Sequence, residues 1–324
     1  MSAHAAAIDV LVTVYNGERF IAQTLDSVIG QTFTYWRLIV VDDLSTDRTA
    51  EIVRGYAQRD PRILLVAGEH KGIAAAANVG LGFVTAPLVA RLDGDDIAMP
   101  QRLQVQYDYL QQHPEVLAVG SDVMLIDENN KPLRRRKAPT GAAHIQQILQ
   151  TRNCMCHPSA TLRTEALRQI GGYRDKFKNS LDYDLWLRIS EIGQIENIPQ
   201  DLLLYRRHAS QVSALGNAHR QTIYSVGAVT DYFLRRYGLG DVQTHVDEAD
   251  NDDLVDKLLL VYRAGPKPED LQALNRHAIR LLRYARALSP QTRERLRQEL
   301  SVRLKGRQRL KFAFYSMLAK LDLR

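Results

Sequence analysis

The stretch PLVARLDGDD, residues 87–96, decides how the first half of the chain folds. Its apolar run is typical of a buried strand, and three aspartates, Asp93, Asp95 and Asp96, follow within four positions. Ligands of open parallel sheets bind outside the carboxyl ends of the strands, and carboxylates gathered there repel one another unless a cation or hydrogen-bond donors hold them. The stretch therefore indicates a strand that ends at a cation site, although DGDD is also good turn chemistry.

Short apolar runs alternate with helical patterns on both sides of this stretch. Near-continuous apolar strands joined by helices predict an open α/β sheet covered on both faces. The helix over residues 45–58 is expected to be capped by Ser45 or Thr46, and KPLRRRK (131–137) is expected to be a loop. The predicted strands are DVLVTVY (9–15), RLIVVDD (37–43), RILLVA (62–67), PLVARLD (87–93) and VLAVGSDVMLID (116–127).

The pattern changes towards the C-terminus. Residues 130–215 alternate strand and helix signals, whereas the chain after Gly216 reads as helix throughout. The sequence therefore predicts an α/β domain over residues 1–215 and a helical region over residues 216–324.

Composition excludes several classes of protein. The chain has 324 residues, of which 45% are hydrophobic, and it shows neither a leader nor a run of about eighteen apolar residues, so we expect a cytoplasmic globular protein. Cys154 and Cys156 are too few for a disulfide framework. With His157 they are candidate zinc ligands, but their spacing is not that of a structural zinc site, and free thiols are the favoured interpretation.

The net charge of +6 is concentrated at the C-terminus, with about fourteen Lys and Arg against three acids from Arg276 to Arg324. Such a stripe fits nucleic acid, anionic lipid or a solvated helix face. We expect no nucleic acid, because no helix-turn-helix, zinc finger or aromatic RNA-binding pattern accompanies it. The segment RLKFAFYSMLAKL (309–321) fits either an interfacial helix or a terminal helix docked on its own domain.

Eight motifs occur in an order that resembles the family 2 glycosyltransferases, inverting enzymes with the GT-A fold. The resemblance spans residues 8–213 and implies a Rossmann-like open mixed sheet flanked by helices, with a C-terminal helical extension. The motifs are VTVYNGERFI, VVDDLSTDRT, GIAAAANVGL, VARLDGDD, HPSATLR, IGGYRD, DYDLWLRI and YRRHASQVS.

Carried over residue by residue, the resemblance implies a donor site at the strand ends. Asp43, with Asp42 beside it, would hydrogen-bond the nucleobase, and Asp93 would meet the ribose or the metal. Asp95 would be the main ligand of Mn²⁺ or Mg²⁺, and His208 would return to the diphosphate side as a further ligand, with Arg206 or Arg207 adding positive charge. The remaining residues implied at the nucleotide and sugar are Thr13, Tyr15, Asn78, Gly80 and Arg91.

The resemblance places the catalytic base at Asp182 in LDYDLW. Taken alone, an aspartate at a helix start is often a cap or a partner of the helix dipole, and Asp184 is expected on another side of the helix. Leu181 stands where family members commonly have an acid, and Thr13 where proline is commonest. Leu185, Trp186 and Ile189 are spaced like a core-facing stripe.

The expected activity is inverting transfer of a sugar from a nucleotide-diphosphate sugar, here a UDP-sugar, to a saccharide or lipid-linked acceptor in surface-polysaccharide assembly. The basic C-terminal region would allow peripheral attachment to an anionic membrane at the inner face of the plasma membrane. Two alternatives are weighed. A nucleotidyltransferase would need a glycine-rich phosphate loop after the first strand, which YNGERF does not provide. A catalytically silent GT-A-fold scaffold would bind nucleotide without turnover, with Leu181 as a sign of decay.

Overall fold

The computed structural model describes residues 6–209, 211, 218–242, 251–283, 288–304 and 312–313. These residues form two compact units. The first unit takes its residues from 1–146, 154–175 and 188–211, and the second takes its residues from 147–153, 176–187 and 212–324. The domain boundary that the sequence suggests at residue 215 stays a prediction.

Nine strands of the described residues form one sheet in the first unit, in the order β3-β2-β1-β4-β8-β6-β9-β5, with β7 paired to β6. The strands β1 to β4 are mutually parallel, whereas β8 runs antiparallel to both β4 and β6. The predicted open mixed α/β sheet is confirmed. The strands are β1 (Ile8–Val14), β2 (Trp36–Asp42), β3 (Ile63–Ala67), β4 (Leu88–Asp93), β5 (Ile97–Ala98), β6 (Val116–Ile126), β7 (Pro132–Arg136), β8 (Thr161–Arg163) and β9 (Gln194–Arg206).

The central strands β1, β2 and β4 are buried along almost their whole length. Their near-continuous apolar sequences follow from this burial, because both faces of a parallel sheet are covered by helices. The α-helices within residues 1–211 are α1 (Ile21–Ile29), α2 (Thr49–Arg59), α3 (Ile73–Leu81), α4 (Arg102–Gln112), α5 (Ala142–Leu149), α6 (Thr164–Gln169) and α7 (Leu181–Ile192).

Two local expectations were wrong. Helix α2 begins at Thr49, and neither Ser45 nor Thr46 caps it. The Ser45 hydroxyl instead accepts a hydrogen bond from the backbone N–H of Asn16 at 2.8 Å, so it ties two loops together. The segment predicted as a basic loop contains the exposed strand β7, which pairs with β6 in antiparallel register.

The second unit contains four further helices in its described C-terminal part, as the sequence predicted. Apolar side chains such as Leu258, Leu282 and Leu296 are buried there. Apart from Phe312 and Ala313, the segment 309–321 lies outside the described residues. No helix among the described ranges is long and apolar enough to cross a membrane. The four helices are α8 (Ala218–Arg236), α9 (Asp252–Arg263), α10 (Pro268–Arg283) and α11 (Pro290–Arg303).

Helix α3 approaches the sheet closely at Gly80. A Cβ atom at this position would lie 2.3 Å from Cδ1 of Leu11 on β1 and 2.9 Å from Cγ2 of Val41 on β2. Real Cβ atoms do not come that close to another carbon, so the helix packs at this distance only with glycine. Gly80 therefore sets the distance between α3 and the two central strands.

We expect Gly80→Ala to lower the free energy of unfolding by about 1–3 kcal/mol, because the added methyl overpacks the contact with β1 and β2. The matched control is Gly55→Ala in α2, where a Cβ would meet nothing within 4 Å. This control is expected to raise stability by about 0.5–1 kcal/mol, since alanine is the better helix former. Urea denaturation measures both, and equal stability of the two variants would contradict the close-packing role.

Candidate active site

Three polar residues stand at the carboxyl ends of adjacent parallel strands. In the sheet register Thr13 pairs with Asp93, and Val14 pairs with Asp42. The strands β2, β1 and β4 therefore end side by side at one edge, where open sheets bind their ligands. This register brings Thr13, Asp42 and Asp93 to the same edge, as the sequence predicted.

The aspartate that ends β4 and the two that follow lie close together in a tight turn, which we call the acidic turn (Asp93, Asp95 and Asp96). Each offers one carboxylate oxygen, and these oxygens lie within 4.8 Å of one another. The turn packs against β1 so closely that a Cβ at Gly94 would lie 2.9 Å from Cγ2 of Val14. The acidic turn is the group in the described part of the chain whose geometry suits a metal ion.

Asp96 is the buried member of the acidic turn. Its Oδ1 accepts a hydrogen bond from the backbone N–H of Arg206 at 2.8 Å, and its buried Oδ2 has no partner among the described residues. Burial, followed by the charges of Asp95 and Asp93, raises the pKa of Asp96 well above its ordinary value. Three clustered oxygen ligands are the kind of donor set that Mg²⁺ or Mn²⁺ prefers. Sequence reasoning included Asp96 in the motif but assigned it no role.

Arg91 lies beneath the acidic turn and is fully buried. One guanidinium nitrogen donates to the backbone carbonyl of Leu11 at 2.8 Å. The other donates to Oγ1 of Thr13 at 3.2 Å and to Oδ1 of Asp93 at 3.1 Å. Arg91 thus orients Asp93 and Thr13 from inside the sheet.

His208 contacts the acidic turn although it lies 113 residues after Asp95 in the sequence. Its Nε2 lies 2.8 Å from Oδ2 of Asp95, and its ring centroid lies 5.0 Å from that of Phe20. Of the two neighbouring arginines, Arg206 is buried and Arg207 is exposed. The YRRH motif therefore delivers one imidazole and one buried guanidinium to this edge.

Asp43 holds the loop between β3 and α3. Its two carboxylate oxygens accept hydrogen bonds from the backbone N–H groups of His70, at 2.7 Å, and Gly72, at 3.1 Å. A Cβ at Gly68 would come within 2.5 Å of the Asp43 carboxylate, so the loop closes around this side chain. The half-exposed ring of Tyr15 lies 4.9 Å from the His70 ring. Sequence reasoning missed His70, because nothing local marks it.

Asn78 joins α3 to the IGGYRD segment. Its Nδ2 donates to the carbonyl of Tyr173 at 2.8 Å, and its Oδ1 accepts from the N–H of Tyr173 at 2.9 Å. Gly172 has a left-handed backbone, with φ of 70°, and a Cβ there would lie 2.7 Å from the Asn78 oxygen. The amide of Asn78 thus pairs with both backbone groups of one residue.

Asp182 belongs to the second unit and lies in the first turn of α7. Its Oδ2 accepts from Nδ2 of Asn153 at 2.7 Å, and its Oδ1 accepts from the N–H of Tyr183 at 2.8 Å. Asp184, two residues further along the helix, is fully buried, whereas Asp182 is partly exposed. The predicted core stripe is confirmed, since its members are all buried: Leu185, Trp186 and Ile189.

The cysteines carry free thiols. His157, beside them, places its Nε2 2.8 Å from the hydroxyl of Tyr173. In the part of the chain that the structure describes, neither cysteine joins a group suited to a metal ion.

Comparison with known proteins identifies the family. The model named glycosyl transferase family 2 matches residues 9–171. The chain is 33% identical over 190 residues to the putative glycosyltransferase EpsE of Bacillus subtilis, covering 57% of this chain and 67% of EpsE. It is 32% identical over 214 residues to the O-antigen biosynthesis glycosyltransferase WbnJ of Escherichia coli, covering 64% of this chain and 83% of WbnJ.

The fold resembles that of a solved structure. The structure of S. aureus TarS 1-349 in complex with UDP-GlcNAc matches with a TM-score of 0.61 at 16% identity, over 97% of this chain and 92% of TarS 1-349. At this identity the likeness concerns the fold alone. Together with the sequence matches and the edge described above, it shows that the chain belongs to glycosyl transferase family 2 and has the GT-A fold.

We expect Asn78→Asp to destabilise the protein by about 2–3 kcal/mol, because a carboxylate oxygen would replace the donor that faces the Tyr173 carbonyl. Gln58→Glu adds the same charge at an exposed position of α2 and is expected to stay within about 0.5 kcal/mol of the parent protein. Urea denaturation compares the two. A parent-like Asn78→Asp variant would show that the pairing with Tyr173 contributes nothing.

Proposed function

We propose that the protein is a metal-dependent inverting glycosyltransferase, which moves a sugar from a UDP-sugar to a hydroxyl of a saccharide or lipid-linked acceptor during surface-polysaccharide assembly. The family supports sugar transfer. The O-antigen role in the name of WbnJ supports the polysaccharide context, and the UDP-GlcNAc complex of TarS supports the donor class.

The single observation that carries the proposal is the acidic turn at the carboxyl ends of parallel strands. Asp93 accepts a hydrogen bond from Arg91, Asp95 lies within hydrogen-bond distance of His208, and both carboxylates are half-buried. Carboxylates in this arrangement repel one another, and a bound divalent cation would offset that repulsion. We assign Mn²⁺ or Mg²⁺ to Asp93, Asp95 and His208, with Asp96 completing the acidic group.

A divalent ion bound there would act as a Lewis acid that offsets the charge on the leaving diphosphate. The nucleoside would lie towards Thr13, Tyr15, Asp42 and Asp43, where the Tyr15 ring offers an exposed face. Asn78 and Arg91 would shape this side through the contacts that fix the IGGYRD segment and Thr13. The nucleotide-side roles of these residues are proposals from the family motifs.

The proposed step is a single displacement. The acceptor oxygen bonds to the anomeric carbon while the bond from that carbon to the diphosphate oxygen breaks, and the bonding electrons leave with the nucleoside diphosphate. The Asp182 carboxylate takes the proton of the acceptor hydroxyl as general base. Its hydrogen bonds from Asn153 and Tyr183 fix the orientation of the carboxylate. One base and one displacement give inversion at the anomeric carbon, whereas retention needs a covalent intermediate.

Calorimetric titration with UDP in the presence of Mn²⁺, and again with EDTA, tests the donor site. We expect binding that needs the metal and that Asp95→Asn weakens by at least about tenfold, because the variant loses a charged ligand. Asp182→Asn is expected to keep nucleotide binding and to lose transfer by about 10²–10⁴-fold, the usual contribution of a general base.

The matched control is Asp108→Asn on the exposed side of α4, which removes one carboxylate outside the site and is expected to change neither measurement. Failure of UDP and other nucleoside diphosphates to bind under any metal condition would refute the donor site. Metal-dependent binding without transfer of any sugar would instead favour the silent scaffold.

We also propose that the basic C-terminal region attaches the protein to anionic membrane surfaces. Support comes from the excess of Lys and Arg between Arg276 and Arg324, since basic residues near a surface gain about 1 kcal/mol each from anionic lipid. The protein is expected to float with phosphatidylglycerol vesicles at low salt and to detach as salt rises. Absence of binding to such vesicles at low salt would refute the attachment.

A further inference from the structure

Arg206, the last residue of β9, is buried beside the acidic turn. Its backbone N–H donates to Oδ1 of Asp96 at 2.8 Å, and its Nε donates to the backbone carbonyl of Asp95 at 2.7 Å. Two consecutive residues of the turn are therefore bonded to one arginine. The contacts join residues about 110 positions apart in sequence.

The rest of the guanidinium reaches two other segments. Its Nη2 donates to Oε1 of Gln23 on α1 at 2.9 Å. Its Nη1 donates to Oδ1 of Asn130 in the turn between β6 and β7. The plane also lies over the Phe20 ring, with Cζ 4.5 Å from the centroid. Arg206 thus connects the acidic turn to α1 and to the β6–β7 turn at once.

Arg206 also brings a positive charge close to the acidic turn. Burial lowers the pKa of the guanidinium, and the charges of Asp96 and Asp95 act in the opposite direction. A buried cation near two carboxylates reduces their mutual repulsion. Lysine at this position would keep the charge but would lack the planar fork that bonds several acceptors in fixed directions.

We propose that Arg206 is a positioning residue, which holds the acidic turn in the shape that lets Asp93, Asp95 and Asp96 converge on one cation. It acts through the turn and touches neither substrate nor metal. The inference rests on the proposed function, because it assumes that the acidic turn binds a divalent ion. It assigns the two arginines of YRRH different roles, with Arg206 inside and Arg207 in solvent.

The test measures Mn²⁺ binding directly, from the free Mn²⁺ signal in electron paramagnetic resonance with UDP present. Arg206→Lys is expected to weaken Mn²⁺ binding by about tenfold or more, as loss of a partner that orients ligands does. Arg54→Lys is the matched control, since Arg54 is an exposed arginine of α2 with no assigned role in the site, and it is expected to bind Mn²⁺ like the parent protein. Thermal denaturation of each variant runs alongside.

A second variant guards against misfolding of Arg206→Lys. Asn130→Gly removes the amide that Nη1 contacts, and glycine suits the left-handed backbone at this position, where φ is 68°. It is expected to keep parent-like stability and to weaken Mn²⁺ binding in the same direction by a smaller factor. Parent-like Mn²⁺ affinity in a folded Arg206→Lys variant, or in Asn130→Gly if Arg206→Lys does not fold, would overturn the positioning role.

The outcomes also separate this inference from the proposed function. If the parent protein binds neither Mn²⁺ nor UDP, the proposed function fails. If the parent binds both and the Arg206 and Asn130 variants bind equally well, the proposed function stands and the role of Arg206 fails. A lower melting temperature with unchanged Mn²⁺ affinity would mark Arg206 as important for stability alone.

Discussion

Repulsion among the carboxyl groups of the acidic turn is the constraint around which this edge of the sheet is organised. Their oxygens approach within 4.8 Å of one another, so each must be balanced by a positive group, a donor or a proton. Arg91 balances Asp93 from inside the sheet, His208 meets Asp95, and the backbone of Arg206 meets Asp96. The turn is held by Arg91 of β4, by Arg206 at the end of β9 and by His208 just after it.

Other polar residues of the motifs form hydrogen bonds with backbone groups of irregular segments. Asp43 accepts from two N–H groups of the β3–α3 loop, and Asn78 pairs with both backbone groups of Tyr173. Segments without regular structure must satisfy their N–H and C=O groups in this way when they are removed from water. Asp43 and Asn78, which the sequence motifs imply as ligand contacts, therefore also fix the backbone segments around the site. The same side chain serves both purposes only if it keeps an open lone pair.

The sequence predicted what depends on local pattern. Continuous apolar runs identified the buried strands, and the placement of Asp93 and Asp95 after such a run predicted carboxylates at the end of a buried strand, where the structure has the acidic turn. Contacts between distant segments were not predictable in this way. Arg206 and Arg207 are indistinguishable in YRRH, and only the packing of β9 against β5 and β6 separates the buried one from the exposed one. The predicted cap of α2 was wrong for the same reason, because the Ser45 hydroxyl accepts a hydrogen bond from the backbone N–H of Asn16, which is distant in sequence.

Strand β7 was missed because three consecutive arginines, Arg134 to Arg136, do not resemble a strand. All five of its residues are exposed, and it pairs with β6. An outer strand offers unpaired backbone groups to any passing chain, and charged side chains make such pairing costly. A second molecule that added a strand here would have to bring its own backbone against a row of guanidinium groups. The exposed arginines of β7 therefore make the pairing of a further strand along this part of the sheet costly.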